Sequence, residues 1–475
     1  MNIYMEFILY LNNCLSGINR MRKMPKLVAK KKESRSDLLL ALTIFSFLIR
    51  VIHLDFPNHF AFDEVFSITR SQKFLNSEVF ITDQPHFGRY LTILGMLAFG
   101  DNPIGWRIIQ AILGTLLIPL SYLIGKKIFC NKYSGLLTAF FVAFDLEYLA
   151  YSRIGMVIIF QVFFVSLSLL LFILSTKNNK YSLFFILISA ITTGLAIAIK
   201  WTSLCLIPVF WLWAKTKVNF EKTLFDKLLF KIIFLVIVVS IYLMTFVGEG
   251  RNYAFYNQVY NMPNKNFIQG VISWHKLAFK SHTRSGMYHP YSSKFYTWPF
   301  IYKPVLIYRN FDKMKRQVTT IIGFGNPVIR WGGTLAILFQ LCLLFFKRNK
   351  IMIFLLGSYF ISLLAFALIP RPMFLYHHLS LFLYQILILE YTITSFYKDK
   401  NYLRSAIISM LILVIIMFYY FYPFANGYPI SISEYNHRLW FKSWREYSSG
   451  VSKYLEDSGQ MNKKVIIGKT ITRKK

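Results

Sequence analysis

Long apolar runs separated by short polar connections set the plan of this chain. Eleven fall at about 38–55, 105–125, 134–151, 155–175, 181–199, 202–214, 229–247, 332–347, 351–369, 376–395 and 404–422. Most approach the roughly 20 apolar residues that an α-helix needs to cross a hydrocarbon core. Alternate connections carry cations: Lys126, Lys127 and Lys132; Lys177 and Lys180; Lys215, Lys217, Lys222 and Lys227; Lys347, Arg348 and Lys350; Lys398, Lys400 and Arg404. Cationic loops are retained in the cytoplasm. The pattern therefore predicts about 11 transmembrane helices, with the N-terminus inside and the C-terminus outside.

That orientation leaves outside the loop 56–104, a corner near 151–155, Lys200-Trp201, the loop 248–331, the corner Pro370-Arg371-Pro372 and the tail 423–475. In the first loop, Val65 to Phe74 and Arg89 to Phe99 place apolar residues at helical spacing, predicting two amphipathic helices in the interface. The loop 248–331 is rich in aromatic and basic residues, among them Tyr253, Tyr256, Tyr260, Trp274, Tyr288, Tyr291, Tyr296 and Trp298. Tyr and Trp favour the membrane–water boundary, so it reads as an ordered cap. Five units follow: a basic cytoplasmic segment 1–37, an N-terminal membrane module 38–247 containing outer loop 56–104, the outer loop 248–331, a four-helix module 332–422 and the outer tail 423–475.

Composition supports this reading and removes others. Of 475 residues 55% are hydrophobic and only 16% charged, against about 25% charged in soluble domains; the mean hydropathy is +0.46. The net charge of +33 is spread between apolar runs and forms no single stripe, which argues against a nucleic-acid partner. Ile3 to Leu11 is too short to span and precedes the cations of the N-terminal segment, so the first span is expected to remain as a signal anchor. Cys14, Cys130, Cys205 and Cys342 have no CxxC spacing, and no disulfide framework or zinc site is expected.

The polar groups that could do chemistry are unevenly placed. Asp63, Glu64, Asp83, His86, Arg89, Asp101, Arg107, Asp145, Glu147, Arg153, Lys200, Arg371, His377 and His378 all fall in outer loops or outer span ends, with Glu390 the main ionisable group inside a span. Transporters place such groups at the bilayer midplane; here they point to a site at the outer interface. Two adjacent carboxylates, Asp63-Glu64, emerge just past the first span. They could supply a general base, or they could be a solvated loop pair. Arg107, Arg153 and Lys200 each sit at a span end and could anchor it by snorkelling. On one face they would instead suit a lipid phosphate.

Taken together these residues resemble the protein O-mannosyltransferases, polyprenyl- or dolichyl-phosphate-mannose-dependent enzymes of the GT-C glycosyltransferase type. Phe62-Asp63-Glu64 is similar to that family's Asp-Glu motif, and Gln84-Pro85-His86-Phe87-Gly88-Arg89 to its His-Pro-Pro-Leu-Gly-Lys element. Trp106-Arg107, Phe144-Asp145 through Ser152-Arg153, and His289-Pro290-Tyr291-Ser292-Ser293-Lys294 with Trp298-Pro299 resemble further segments in the family's order. So do Gly325-Asn326-Pro327, Pro370-Arg371-Pro372 with Tyr376-His377-His378, and Tyr428-Pro429-Ile430-Ser431 with Trp440. The likeness runs from about 38 to 445. Departures are Gln84 for His, His86 for Pro, Arg89 for Lys, and Val157-Ile158 where the family often has Leu-Asp. The loop 248–331 is too short for the MIR domain of eukaryotic members, so the resemblance is to bacterial-type enzymes of the cell membrane; a eukaryotic chain would lie in the ER membrane.

The resemblance implies an all-α polytopic GT-C fold that moves mannose from polyprenyl-phosphate mannose to Ser/Thr hydroxyls of acceptor proteins, with inversion. It implies that Asp63 is the base, that Glu64 orients the site or acceptor, and that Arg107, Arg153 and Lys200 hold the donor phosphate. Asp83, His86, Arg89, Asp145 and Arg371 are then candidate substrate contacts. No metal or cofactor is expected, because a phosphate ester leaves without one. Three alternatives remain: a GT-C enzyme acting on another lipid-linked sugar and a glycan or lipid acceptor, a transporter, and an inactive relative serving as a binding subunit.

Overall fold

The computed structural model describes residues 34–176, 180–216, 228–250, 252, 266–284, 289–312, 314–396 and 401–445. Most of the basic N-terminal segment, Lys177, Lys217, Lys222, Lys227, Lys398, Lys400, Tyr253, Tyr256, Tyr260, Tyr288 and the tail past 445 lie outside the described residues.

Helices occupy all eleven apolar segments. In chain order the described helices are α1 (Ser34–Val51), α2 (Glu64–Leu75), α3 (Phe87–Phe99), α4 (Pro103–Phe129), α5 (Lys132–Ala143), α6 (Leu146–Tyr151), α7 (Ile158–Ser175) and α8 (Ser182–Ile197). They continue as α9 (Leu206–Thr216), α10 (Leu228–Met244), α11 (Phe267–Thr283), α12 (Pro327–Phe346), α13 (Lys350–Leu364), α14 (Leu379–Phe396), α15 (Asn401–Asn426) and α16 (Ile432–Arg438). Among the described residues, six helical stretches are long and apolar enough to cross a membrane: Pro103–Phe129, Ile158–Ser175, Leu228–Glu249, Pro327–Phe346, Lys350–Leu368 and Arg404–Asn426. The two amphipathic stretches of the first loop are helical, as α2 and α3.

Local signals explain the helix starts. Asn102 accepts from the backbone N–H of Ile104 and Gly105 at 3.0 and 3.1 Å ahead of Pro103, a good N-cap followed by proline in the first turn. Asn131, Asn326 and Asn349 cap α5, α12 and α13 in the same way. Where α3 meets α4, a Cβ on Gly95 would lie 2.3 Å from the Gly105 carbonyl oxygen; the two backbones touch only because glycine is there.

Two features depart from the expectations. The run 134–151 is not one helix. It breaks at Phe144-Asp145, because the Asp145 side chain accepts from the Glu147 and Tyr148 N–H groups and starts a new helix, α6. The cap between α11 and α12 is also not all helix. Strands β1 (Val305–Asp312) and β2 (Gln317–Gly323) form an antiparallel hairpin, extended by β3 (Ile430–Ser431) from the C-terminal part. The hairpin packs on α15 and α6, with Val318 fully buried. Trp444 Nε1 donates to the Ile301 carbonyl at 2.7 Å, tying the segment after α16 to the cap. The Tyr308 ring of β1 meets those of Phe56 and His59 at 5.3 and 5.4 Å, so the cap sits beside the end of α1 and the start of α2, where Asp63 lies.

Candidate active site

The charged groups near the outer loop fall into two kinds: those bound into ion pairs and to backbone carbonyls of the frame, and those gathered around Asp63. Glu64 is of the first kind. Its carboxylate receives Arg107 Nε at 2.7 Å and Arg107 Nη2 at 2.8 Å, together with the backbone N–H of Ala61 at 2.8 Å and that of Gly155. Arg107 in turn donates to the carbonyls of Leu54 (3.1 Å), Pro57 (2.9 Å) and His59 (3.2 Å). Each of its five N–H donors has a partner, and Glu64 and Arg107 are both fully buried. The pair shapes the 54–64 turn.

Arg153 does comparable work at the end of α1. It donates to the carbonyls of Ile49, Arg50, Ile52 and His53 at 2.6–3.1 Å, the groups a helix C-terminus leaves unsatisfied. Asp145 also faces inward. Besides capping α6 it receives the Asn326 N–H at 3.1 Å and Arg330 at 3.4 Å. Arg330 also reaches Glu147 at 2.5 Å and His378 at 2.8 Å. This buried quartet ties α6, α12 and the turn before α14 together. His86 and Arg89 pair at 2.7 Å, and Arg89 binds Glu249 at 2.6 Å, fastening α3 to the end of α10. His86 is enclosed by the rings of Phe246 and Trp274.

Asp63 is of the second kind. It occupies the N-cap position of α2, where aspartate ordinarily bonds the helix N–H groups, yet its side chain makes no cap hydrogen bond. Phe62 before it has φ 49°, a left-handed conformation that a bulky residue adopts only under constraint. Its ring is held edge-on by His289, Phe374 and Tyr376 at 6.2, 6.0 and 6.5 Å. The turn presents Asp63 to Lys200, Arg371 and Arg70, with the Tyr376 hydroxyl as a hydrogen-bond donor. Burial pushes the Asp63 carboxyl up to about 6, although those three cations and Tyr376 pull the other way. Lys200 goes down to about 7, through burial first and then Arg371, with Asp63 opposing.

Asp83 completes the cluster. It lies 3.8 Å from both Arg70 and Arg371 and accepts from Ser281 at 2.7 Å, with His282 against its carbonyl at 3.0 Å. Burial would raise it, but Ser281, Arg70, His282 and Arg371 outweigh that and hold it below the ordinary value. Three permanent or titratable cations thus surround two acids, and the half-buried cluster carries a positive excess suited to one more anion.

Of the residues singled out from sequence, the structure brings Asp63, Lys200, Asp83 and Arg371 together. It sets Glu64 and Arg107 directly behind Asp63, and places Arg153, Asp145, His86 and Arg89 in separate frame contacts. Sequence reasoning passed over Arg70, which lies on the polar side of the amphipathic 65–74 stretch. It also passed over Arg330, because the Asn326-Pro327 turn drew the start of the span to 332.

Comparison with known proteins now bears on this arrangement. The profile described as the C-terminal four-TMM region of protein-O-mannosyltransferase matches residues 267–444, and that of dolichyl-phosphate-mannose-protein mannosyltransferase matches 83–244. The polyprenol-phosphate-mannose–protein mannosyltransferase of Corynebacterium glutamicum is 24% identical over 431 residues, covering 76% of this chain and 81% of that protein. The Saccharomyces cerevisiae protein O-mannosyltransferase Pmt1–Pmt2 complex bound to the sugar donor superposes with TM-score 0.74 at 14% identity, over 93% of this chain and 96% of that one. An Archaeoglobus fulgidus oligosaccharyltransferase shares the fold more loosely, at TM-score 0.53 and 14% identity over 90% of this chain and 57% of that one. This is an integral membrane protein with the GT-C architecture, and it belongs to the protein O-mannosyltransferase family.

Proposed function

We propose that this chain transfers mannose from polyprenyl-phosphate mannose to Ser or Thr hydroxyls of proteins at the outer face of the membrane. The observation that carries the reading is Asp63, an acid left uncommitted by its own helix and facing Lys200, Arg371 and Arg70. The named activity of the Corynebacterium relative supports the same donor and acceptor classes. In the reaction the acceptor oxygen attacks the sugar's anomeric carbon while Asp63 takes its proton. The carbon–oxygen bond to phosphate breaks, and the phosphate leaves with the electron pair. Lys200, Arg371 and Arg70 meet that charge. Displacement from the opposite face inverts the anomeric configuration.

Arg107 and Arg153 take a different role in this proposal from the one the sequence suggested. Their donors are engaged by Glu64 and by backbone carbonyls, so they hold the turn that carries Asp63, and Arg371 and Arg70 replace them at the phosphate. The direct test is transfer of labelled mannose from polyprenyl-phosphate mannose to a Ser/Thr peptide by the purified protein in nanodiscs. Failure of the folded parent to transfer, with donor present, would sink the reading.

The site also predicts a pH profile. Asp63 must be ionised, so kcat/KM should rise as pH climbs through about 6. Lys200 must be charged, so it should fall as pH passes about 7, giving a narrow bell. Lys200→Arg keeps its charge to high pH and should lift the alkaline limb while leaving the acid limb in place. An alkaline limb unmoved in that variant assigns it to another group.

A further inference from the structure

Tyr376 stands between the acid and the cation. It lies in the short turn Leu375–His378 that follows Pro370-Arg371-Pro372, and the residue is 5% exposed. Phe374 stacks on it at 5.6 Å with planes 8° apart, and His377 at 4.3 Å with planes 21° apart. Tyr151 closes the far side at 5.4 Å. The turn is itself pinned, with the Met373 carbonyl accepting from the Ser293 N–H at 2.8 Å. A ring clamped in this way can place its hydroxyl with little motion. That hydroxyl faces Asp63 as a donor, and the Lys200 ammonium lies over the ring, 5.1 Å from its centroid, within reach of a cation–π contact.

We propose that Tyr376 is a positioning residue for the transfer: its hydroxyl aims the Asp63 carboxylate, and its ring seats the Lys200 ammonium, so one side chain sets the spacing between base and leaving-group cation. This rests on the reading of Asp63 as the base. A phenol donating to a carboxylate favours the charged form. Removing the hydroxyl therefore raises the pH at which Asp63 ionises. The other groups facing Asp63 are Lys200, Arg371 and Arg70, with Tyr151 alongside, and all of them persist in the variants below.

The experiment is the pH dependence of kcat/KM, from pH 5 to 9, for mannosyl transfer from polyprenyl-phosphate mannose to a Ser/Thr peptide. Tyr376→Phe keeps the ring and the seat for Lys200, so the acid limb should move up by about one pH unit, a roughly tenfold loss on the acid side. Activity should recover toward the parental value as pH rises. Tyr376→Leu also removes the seat and should add a several-fold rise in donor KM. Incorporating 3-fluorotyrosine at 376 gives a stronger donor in an intact fold and should move the limb the opposite way. A parental pH profile in Tyr376→Phe and in the fluorinated protein overturns the proposal. So does a uniform loss at every pH, the signature of a merely structural residue. Asp63→Asn run in parallel separates the two levels. Parental turnover in Asp63→Asn removes the base itself, whereas an inactive Asp63→Asn with an unmoved limb in the Tyr376 variants removes only this inference.

Discussion

Asp63→Asn is expected to lower the transfer rate by roughly 10²–10⁴-fold, the range for loss of a positioned general base. Asparagine keeps the size of the side chain and can still accept from Tyr376, but it cannot take the acceptor's proton. The fold should survive, because Asp63 makes no cap hydrogen bond to α2 and the turn is held by Glu64 and Arg107 behind it. Donor binding should also survive. Removing a negative charge from a cluster that must receive a phosphate reduces repulsion there. The measurement is single-turnover mannose transfer with donor affinity followed separately. A tight-binding, inactive variant meets the expectation, and near-parental turnover refutes the assignment and directs attention to Asp83, the other acid of the cluster.

The membrane architecture was legible because its cause is local. Apolar length marks α4, α5, α12 and α13, and the 3.6-residue period of 65–74 and 89–99 marks α2 and α3. What stayed hidden depends on contacts distant in sequence. The ties of the Asp145 carboxylate to Asn326 and Arg330, some 180 residues away, are of that kind, whereas its own cap on Glu147 and Tyr148 is a local signal set within an apolar run. The β1–β2 hairpin did carry a signal. Val318, Thr319, Thr320, Ile321 and Ile322 form a β-branched run, which the aromatic content of the surrounding loop overshadowed.

The site shows the same division. Arg107, Arg153 and Lys200 look alike in sequence, each a lone cation at the end of an apolar run. They part only in three dimensions, where carbonyls of residues 49–59 surround the two arginines while the lysine lies beside Asp63 and Arg371. No spacing rule could have separated them, because the deciding partners belong to another turn of the chain. The adjacent acids divide by the same logic. Glu64 is bound into the frame by Arg107 while Asp63 lies among Lys200, Arg371 and Arg70, the pair following directly on the left-handed Phe62.

Arg107→Ala should therefore act on folding before it acts on chemistry. The substitution leaves the Glu64 carboxylate fully buried with only two backbone N–H groups as partners. It also strips a donor from the carbonyls of Leu54, Pro57 and His59. Removing one partner of a buried ion pair destabilises by about 3–5 kcal/mol. The expected result is a lower yield of folded protein and a depressed unfolding midpoint in detergent, with the Asp63 turn loosened. Replacing both members, Arg107→Met with Glu64→Gln, takes away the uncompensated charge and should recover part of that stability. Turnover per folded molecule discriminates the two roles for this arginine. A frame residue predicts that the double variant regains fold and a measurable part of its activity. An arginine that grips the donor phosphate predicts instead that Arg107→Ala folds like the parent and binds donor poorly. Thermal unfolding and donor titration on the same three proteins decide between them.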